Sequence, residues 1–171
     1  MRRKICGGIN KVKLNCVLME KPDAIAEIEG SEDYPQIYGR TLFYKVGQGV
    51  LVETEVDGLP WSDNVCGDRV FGYHIHSGEY CKGNMKDAFA DTMGHYNPDD
   101  CIHPHHAGDM PPLFGNNGYA FSVFLTNRFY LHDIVGKTII IHLQPDDFYS
   151  QPSGNSGIKI ACGVIKSFSV W

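Results

Sequence analysis

The 171-residue sequence contains no apolar run long enough to cross a membrane as a helix. Its longest candidates, TIIIHL at 138–143 and IKIACGVI at 158–165, are strand-sized. No segment sustains an apolar period of 3.6 residues, so little helix is expected. Positive charge is the minority sign: 15 Lys and Arg face 20 Asp and Glu, a net of −5. That excess argues against a nucleic-acid binder with a broad basic footprint. The low hydrophobicity of a disordered chain is absent too, since 43% of residues are hydrophobic. The length suits one ordinary domain able to bury a core of its own.

What is present in quantity is glycine, 19 residues, above the usual share of roughly 7%. Dispersed among β-branched and aromatic residues, the glycines indicate short strands and tight turns. Strands are expected over 24–30, 40–46, 50–56, 71–76, 119–125, 138–143 and 159–165, with a last short one near Phe168. The runs 40–46 and 50–56, joined through Gly47-Gln48-Gly49, read as a hairpin. Evenly spaced strands with turn signals predict an all-β sandwich or barrel. Between them lies a polar stretch rich in Gly, Pro and His, residues 77–117. A loop of that length inside a compact domain is expected to be functional or tied down.

The start of the chain has a different character. Residues 1–21 carry six basic side chains against Glu20, whereas residues 22–171 hold the remaining 9 basic and 19 acidic residues. Two units are expected: a basic extension over 1–21, either a tail or an extra edge strand, and a main domain over 22–171. The basic start is followed by no uninterrupted apolar stretch of the kind an export signal needs. A cytoplasmic location is therefore expected, with export to the cell envelope as the alternative.

Histidine carries the chemistry. Eight are present, and His74, His76, His95, His103, His105 and His106 fall within 33 residues. His74 and His76 form H-x-H in an expected strand, where residues two apart share a face. Two such imidazoles can chelate one metal, although the pair taken alone reads more readily as two exposed histidines. His142 ends the apolar run 138–143. It is either a hydrogen-bonded core histidine or a third ligand from an adjoining strand. In the loop, three histidines and Asp109 suit the nitrogen and oxygen shell of zinc, and a closed site would explain how so long a loop stays ordered. An all-imidazole site suits copper, which stands at the top of the divalent affinity order.

GYHIHSG (72–78), GHYNP (94–98), HAGDMP (106–111), GKTIIIHLQPDD (136–147) and QPSGNSGIKIACGVI (151–165) resemble the copper/zinc superoxide dismutases, most closely their bacterial branch. The resemblance covers about residues 24–169, with the five motifs in one order. The resemblance implies an eight-stranded Greek-key β-barrel with long metal-binding and electrostatic loops. It implies copper held by His74, His76, His95 and His142, and zinc held by His95, His103, His106 and Asp109. His95 would bridge the two ions and serve as a catalytic group. Asp146 would link His74 to His103, and Cys81 would pair with Cys162. The activity implied is the conversion of superoxide to dioxygen and hydrogen peroxide through Cu(II)/Cu(I) cycling. The associations implied are superoxide as substrate, a homodimer and delivery by a copper chaperone, with neither nucleic acid nor membrane.

The sequence also departs from the family pattern. Lys159 stands where the family usually places an anion-guiding arginine. It keeps the charge, loses the planar fork, and predicts a reduced rate. The alternative is a surface lysine on an edge strand. That departure also feeds a second functional reading, a non-catalytic metal-binding module on the same fold. Only two residues separate His103 from His106, so His105 competes with them as a zinc ligand. His132 is expected to be a structural hydrogen-bonding residue, and Asp99 and Asp100 a solvated turn. Cys6, Cys16, Cys66 and Cys101 are unassigned, with Cys101 expected to be a thiol of the loop.

Overall fold

The computed structural model describes residues 14–47, 49–64, 67 and 70–168. Their elements are α1 (Leu14–Val17), β1 (Ala24–Gly30), β2 (Tyr38–Val46), β3 (Gly49–Asp57), β4 (Val70–Phe71) and β5 (Tyr73–His76). A 3-10 turn, Ala90–Thr92, precedes β6 (Leu113–Phe114), β7 (Ala120–Thr126), α2 (Leu131–Ile134), β8 (Thr138–His142) and β9 (Lys159–Ser167). The described part of the 1–21 segment contains the single helical turn α1 and no strand; the rest lies outside the described residues, as do Cys6 and Cys66.

Alternation in the sequence becomes alternation in burial. In β1, Ala24, Ala26 and Ile28 are buried while Glu27 and Glu29 are exposed. In β3, Val50, Val52, Thr54 and Val56 point inward. The sheet runs β5-β8-β9-β1-β2-β3-β7, antiparallel throughout, and β4 pairs with β6. β4 and β5 are halves of one strand interrupted at Gly72, where a Cβ would come within 2.8 Å of Ser156 Cβ. Counted so, eight strands curl round the core. The turn Asn116–Tyr119 returns β6 to β7, and β3→β4 and β7→β8 are the crossing connections of a Greek key.

Two expectations of detail are corrected. The stretch 77–117 is not wholly loop, because Leu113 enters the core and carries the two-residue strand β6. Among the described residues there is no separate strand at Phe168; β9 continues to Ser167, paired with Ala24 of β1. The two described helices are four residues each, and none of the described helices could cross a membrane.

The core places the functional strand. Tyr73 and Ile75 of β5 enter the main hydrophobic core, so His74 and His76 face the other way. Tyr73 crosses the barrel interior to Thr41 and Thr54, at 2.7 and 2.8 Å between oxygens. Burial pushes its phenol up to about 12, so it serves as a neutral hydroxyl at every ordinary pH. Three hydroxyls satisfy one another and avoid the cost of lone buried polar groups.

Candidate metal centre

β8 supplies one edge of β5, with Tyr73 opposite Ile141 and His74 opposite Ile140. The histidine loop supplies the other. Ile75 donates its N–H to Gly108 O at 2.9 Å and accepts from Tyr96 N–H at 2.8 Å. Gly108 N–H closes the set on Tyr96 O at 2.8 Å. These bonds bridge His74 with Asp109 and His76 with His95 across the strand edge. His142 arrives from β8, where the ladder shifts register between Ile141 and His142.

Two clusters result. His74, His76, His95 and His142 can each offer a ligand atom within 4.8 Å of the others, and so can His95, His103, His106 and Asp109. Every one of these residues is buried, His74 completely. His95 belongs to both clusters. His105 is exposed and belongs to neither, and His132 is exposed, stacked on Tyr130 and 3.2 Å from its neighbour Asp133. Asp99 and Asp100 are exposed in the turn before Cys101, whose exposed thiol also stands outside both clusters.

Three rings of the first cluster each give one nitrogen to a fixed acceptor. His74 Nε2 donates to Asp146 Oδ2 at 2.8 Å, His76 Nδ1 to Met93 O at 2.9 Å, and His142 Nδ1 to Gly157 O at 3.2 Å. A carbonyl or carboxylate oxygen can only accept, so the proton of each neutral ring sits on that nitrogen and the other carries a lone pair. The lone pairs then face one another: His76 Nε2 and His142 Nε2 are 3.3 Å apart. Among the described residues, the buried side-chain nitrogens and oxygens without a hydrogen-bond partner are His74 Nδ1, His95 Nε2 and His103 Nδ1. All belong to the two clusters. Buried polar atoms are rarely left unsatisfied, and convergent imidazole lone pairs are what a cation fits. The first cluster offers nitrogen alone, suited to copper; the second adds a carboxylate, suited to zinc.

Asp146 ties the halves together. Its Oδ2 accepts from His74 and its Oδ1 from His103 Nε2, at 2.8 and 2.9 Å. Burial alone would raise its carboxyl, but the hydrogen bonds from His74, the Phe148 N–H and His103 hold it down at about 2. Gly154 makes room for it, with φ +67°; a Cβ there would collide with Asp146 Oδ1. Such outer acceptors orient ligating histidines. On the second cluster, His95 Nδ1 lies 2.7 Å from Asp109 Oδ1, and His103 Nδ1 3.1 Å from Asp109 Oδ2 without the direction of a hydrogen bond. Burial would raise Asp109 as well, but His95 and the adjoining imidazoles keep it low.

Burial acts oppositely on the histidines. It lowers His74 to about 4 and His142 to about 3, and takes His76 well below its ordinary value; His106 is lowered for the same reason. At neutral pH these rings are uncharged, the form that binds metal.

Several residues that the sequence does not single out hold the loop. Arg128 Nη1 donates to the carbonyl oxygens of Pro104, His106 and Asp109, at 2.9, 3.2 and 3.3 Å. Gln151 clamps the His103 backbone, accepting its N–H at 3.0 Å and donating to its carbonyl at 2.8 Å. A disulfide joins Cys81 to Cys162 across 81 residues, packed with Phe89 and Ile140. It pins the loop after β5 to β9.

Lys159 is not on an edge. β9 lies between β8 and β1, and Lys159 stands opposite His142. Its side chain is only 13% exposed, and Nζ donates to Asp87 Oδ2 at 2.8 Å and Phe89 O at 3.0 Å.

The family model described as copper/zinc superoxide dismutase matches residues 37–165. The chain is 31% identical over 158 residues to "Superoxide dismutase [Cu-Zn] 2" of Aquifex aeolicus, covering 84% of this chain and 86% of that protein. It is 30% identical over 153 residues to "Superoxide dismutase [Cu-Zn]" of Legionella pneumophila, with 84% and 87% covered. The crystal structure of the Cu/Zn superoxide dismutase from Brucella abortus superposes with a TM-score of 0.69 at 21% identity, covering 82% of this chain and 98% of that one, a likeness of fold.

Proposed function

This chain belongs to the copper/zinc superoxide dismutase family, and from that membership we propose that it dismutes superoxide at a copper ion whose ligand His95 is shared with zinc. Copper held by His74, His76, His95 and His142 would supply the one-electron chemistry, oxidising one superoxide to dioxygen and reducing the next, with two protons, to hydrogen peroxide. His95, His103, His106 and Asp109 would hold zinc, whose lack of redox chemistry leaves it a structural part. The same reading takes residues 22–171 as the enzyme domain and 1–21 as a basic extension.

The observation that carries this reading is the set of three orphaned ring nitrogens converging within the two clusters. His95 Nδ1 is engaged by Asp109, so its Nε2 is the ring atom placed to take up a proton and hand it on. Asp146 keeps His74 and His103 in one orientation. Lys159 is paired in register with His142 and would draw the anion. A lysine attracts as a point charge and cannot dock an anion with two parallel hydrogen bonds, so the rate is expected below that of an arginine.

Metal analysis with a superoxide assay tests the proposal. Equal copper and zinc per chain and catalytic turnover are expected. Tight copper with negligible turnover would leave a metal-binding module on the same fold. Lys159→Arg should be faster at equal copper loading; an unchanged rate would remove Lys159 from its role.

A further inference from the structure

We propose that Asp87 is a built-in counter-ion that neutralises Lys159 and sets how strongly small anions are drawn to the copper histidines. The inference rests on reading that cluster as the place where superoxide arrives, and it concerns a residue outside the ligand set. Asp87 is no casual surface partner. Its Oδ1 accepts the Phe89 N–H at 2.9 Å, its carbonyl accepts from Asn84 at 2.9 Å and Ala90 at 3.2 Å, and its own N–H lies 3.3 Å from Asn84 Oδ1. Phe89, two residues on, packs with Ile140 and the Cys81–Cys162 disulfide. The carboxylate is therefore fixed to the wall formed by β8 and β9, and its Oδ2 meets Lys159 Nζ at 2.8 Å.

That pair stands at the wall of the site, because Lys159 lies opposite His142 in the β8–β9 ladder. Burial would raise Asp87, yet the Lys159 hydrogen bond keeps it low, so it is a full anion near neutral pH. A lone lysine would present one positive charge to an approaching anion. The pair presents almost none, on a chain whose net charge of −5 already repels anions. The pairing also uses two of the three protons on Nζ, one on Asp87 and one on Phe89 O.

Asp87→Asn isolates the effect. The amide oxygen can keep the Phe89 N–H, while the NH2 faces Nζ and cannot accept from it. Lys159 then loses its carboxylate and regains charge towards the site. Asp87→Ser is the companion variant, since its hydroxyl can cap the same turn. The probe is azide, titrated into copper- and zinc-loaded full-length protein and followed by the copper(II) absorption band at low and high ionic strength. Both variants should bind azide roughly two- to tenfold more tightly at low ionic strength, with the gain shrinking in salt. The gain should be smaller in a Lys159→Met background. Unchanged or weaker azide binding in both variants would overturn the proposal, as would an equal gain without Lys159. Superoxide turnover is read separately on the same samples. Its absence in the wild-type protein would defeat the dismutase reading while the azide titration still decides the role of Asp87.

Discussion

His74 and His76 are placed by the ladder of backbone hydrogen bonds between β5 and β8, and His142 by the pairing of β8 with β9. His103, His106 and Asp109 are placed by side chains that strap a loop: Arg128 on three carbonyls, Gln151 on His103, and the disulfide further back. His95 stands where the two systems meet, bonded through its neighbours to the edge of β5. The difference lies in where the ordering cost is met. On the strands, folding the barrel already fixes the rings, because Tyr73, Ile75, Ile139 and Ile141 must enter the core. On the loop, each ligand needs its own clamp, since unrestrained loop residues would lose conformational entropy on binding a cation.

The largest effect should come from the strand side. His142→Ala removes a ligand whose position the barrel dictates. Copper affinity should fall more than about a hundredfold, beyond what changes at outer residues cause, and dismutation should be lost. Zinc content, measured on the same sample, should survive. Loss of both metals would show that the two sides are not separately built.

Acid should act next, on the metal-free protein. His74 and His142 have values of about 4 and about 3 in the folded chain, below an unfolded value near 6.5. The unfolded chain binds the extra protons first, so stability present above about pH 6.5 is lost as pH falls through the folded values. Asp146, held at about 2, adds to the loss over its own, lower window. Unfolding free energies from denaturant titrations at pH 7 and 4.5 should differ by more than about 3 kcal/mol. A flat profile would show that the strand-borne rings are not buried neutral.

Asp146→Asn couples the sides. His74 and His103 donate to different oxygens of Asp146, and in the amide one of those positions becomes an NH2 that cannot accept. Affinity for both metals should weaken by about 10- to 100-fold, measured by competition with a chelator. A loss confined to one metal would mean that the other ring keeps its orientation without help. The smallest change is Arg128→Gln, which unstraps the loop alone. Zinc release should quicken by about tenfold with copper affinity unchanged; equal release rates would make the guanidinium incidental.

The same division governs what could be read from the residues alone. Strand positions announce themselves by alternation, as in AIAEIEG, and H-x-H places two rings on one face. No comparable period marks a loop, so His95, His103, His106 and Asp109 are legible as a dense cluster and through a family likeness. Arg128, Gln151 and Asp87 escape such reading because their partners are an ammonium or backbone groups 2 to 72 residues away. β6 escapes for another reason: two residues, only one of them buried, carry no periodicity. The break at Gly72 is set by Ser156 packing against the strand from a distant turn.

Anomalous diffraction from crystals of the copper- and zinc-loaded protein, recorded at both absorption edges, is the most direct measurement of a shared imidazole. It should reveal two ions with the His95 ring between them, copper among His74, His76, His95 and His142, and zinc among His95, His103, His106 and Asp109. A single ion, or two ions with no ring between them, would contradict it.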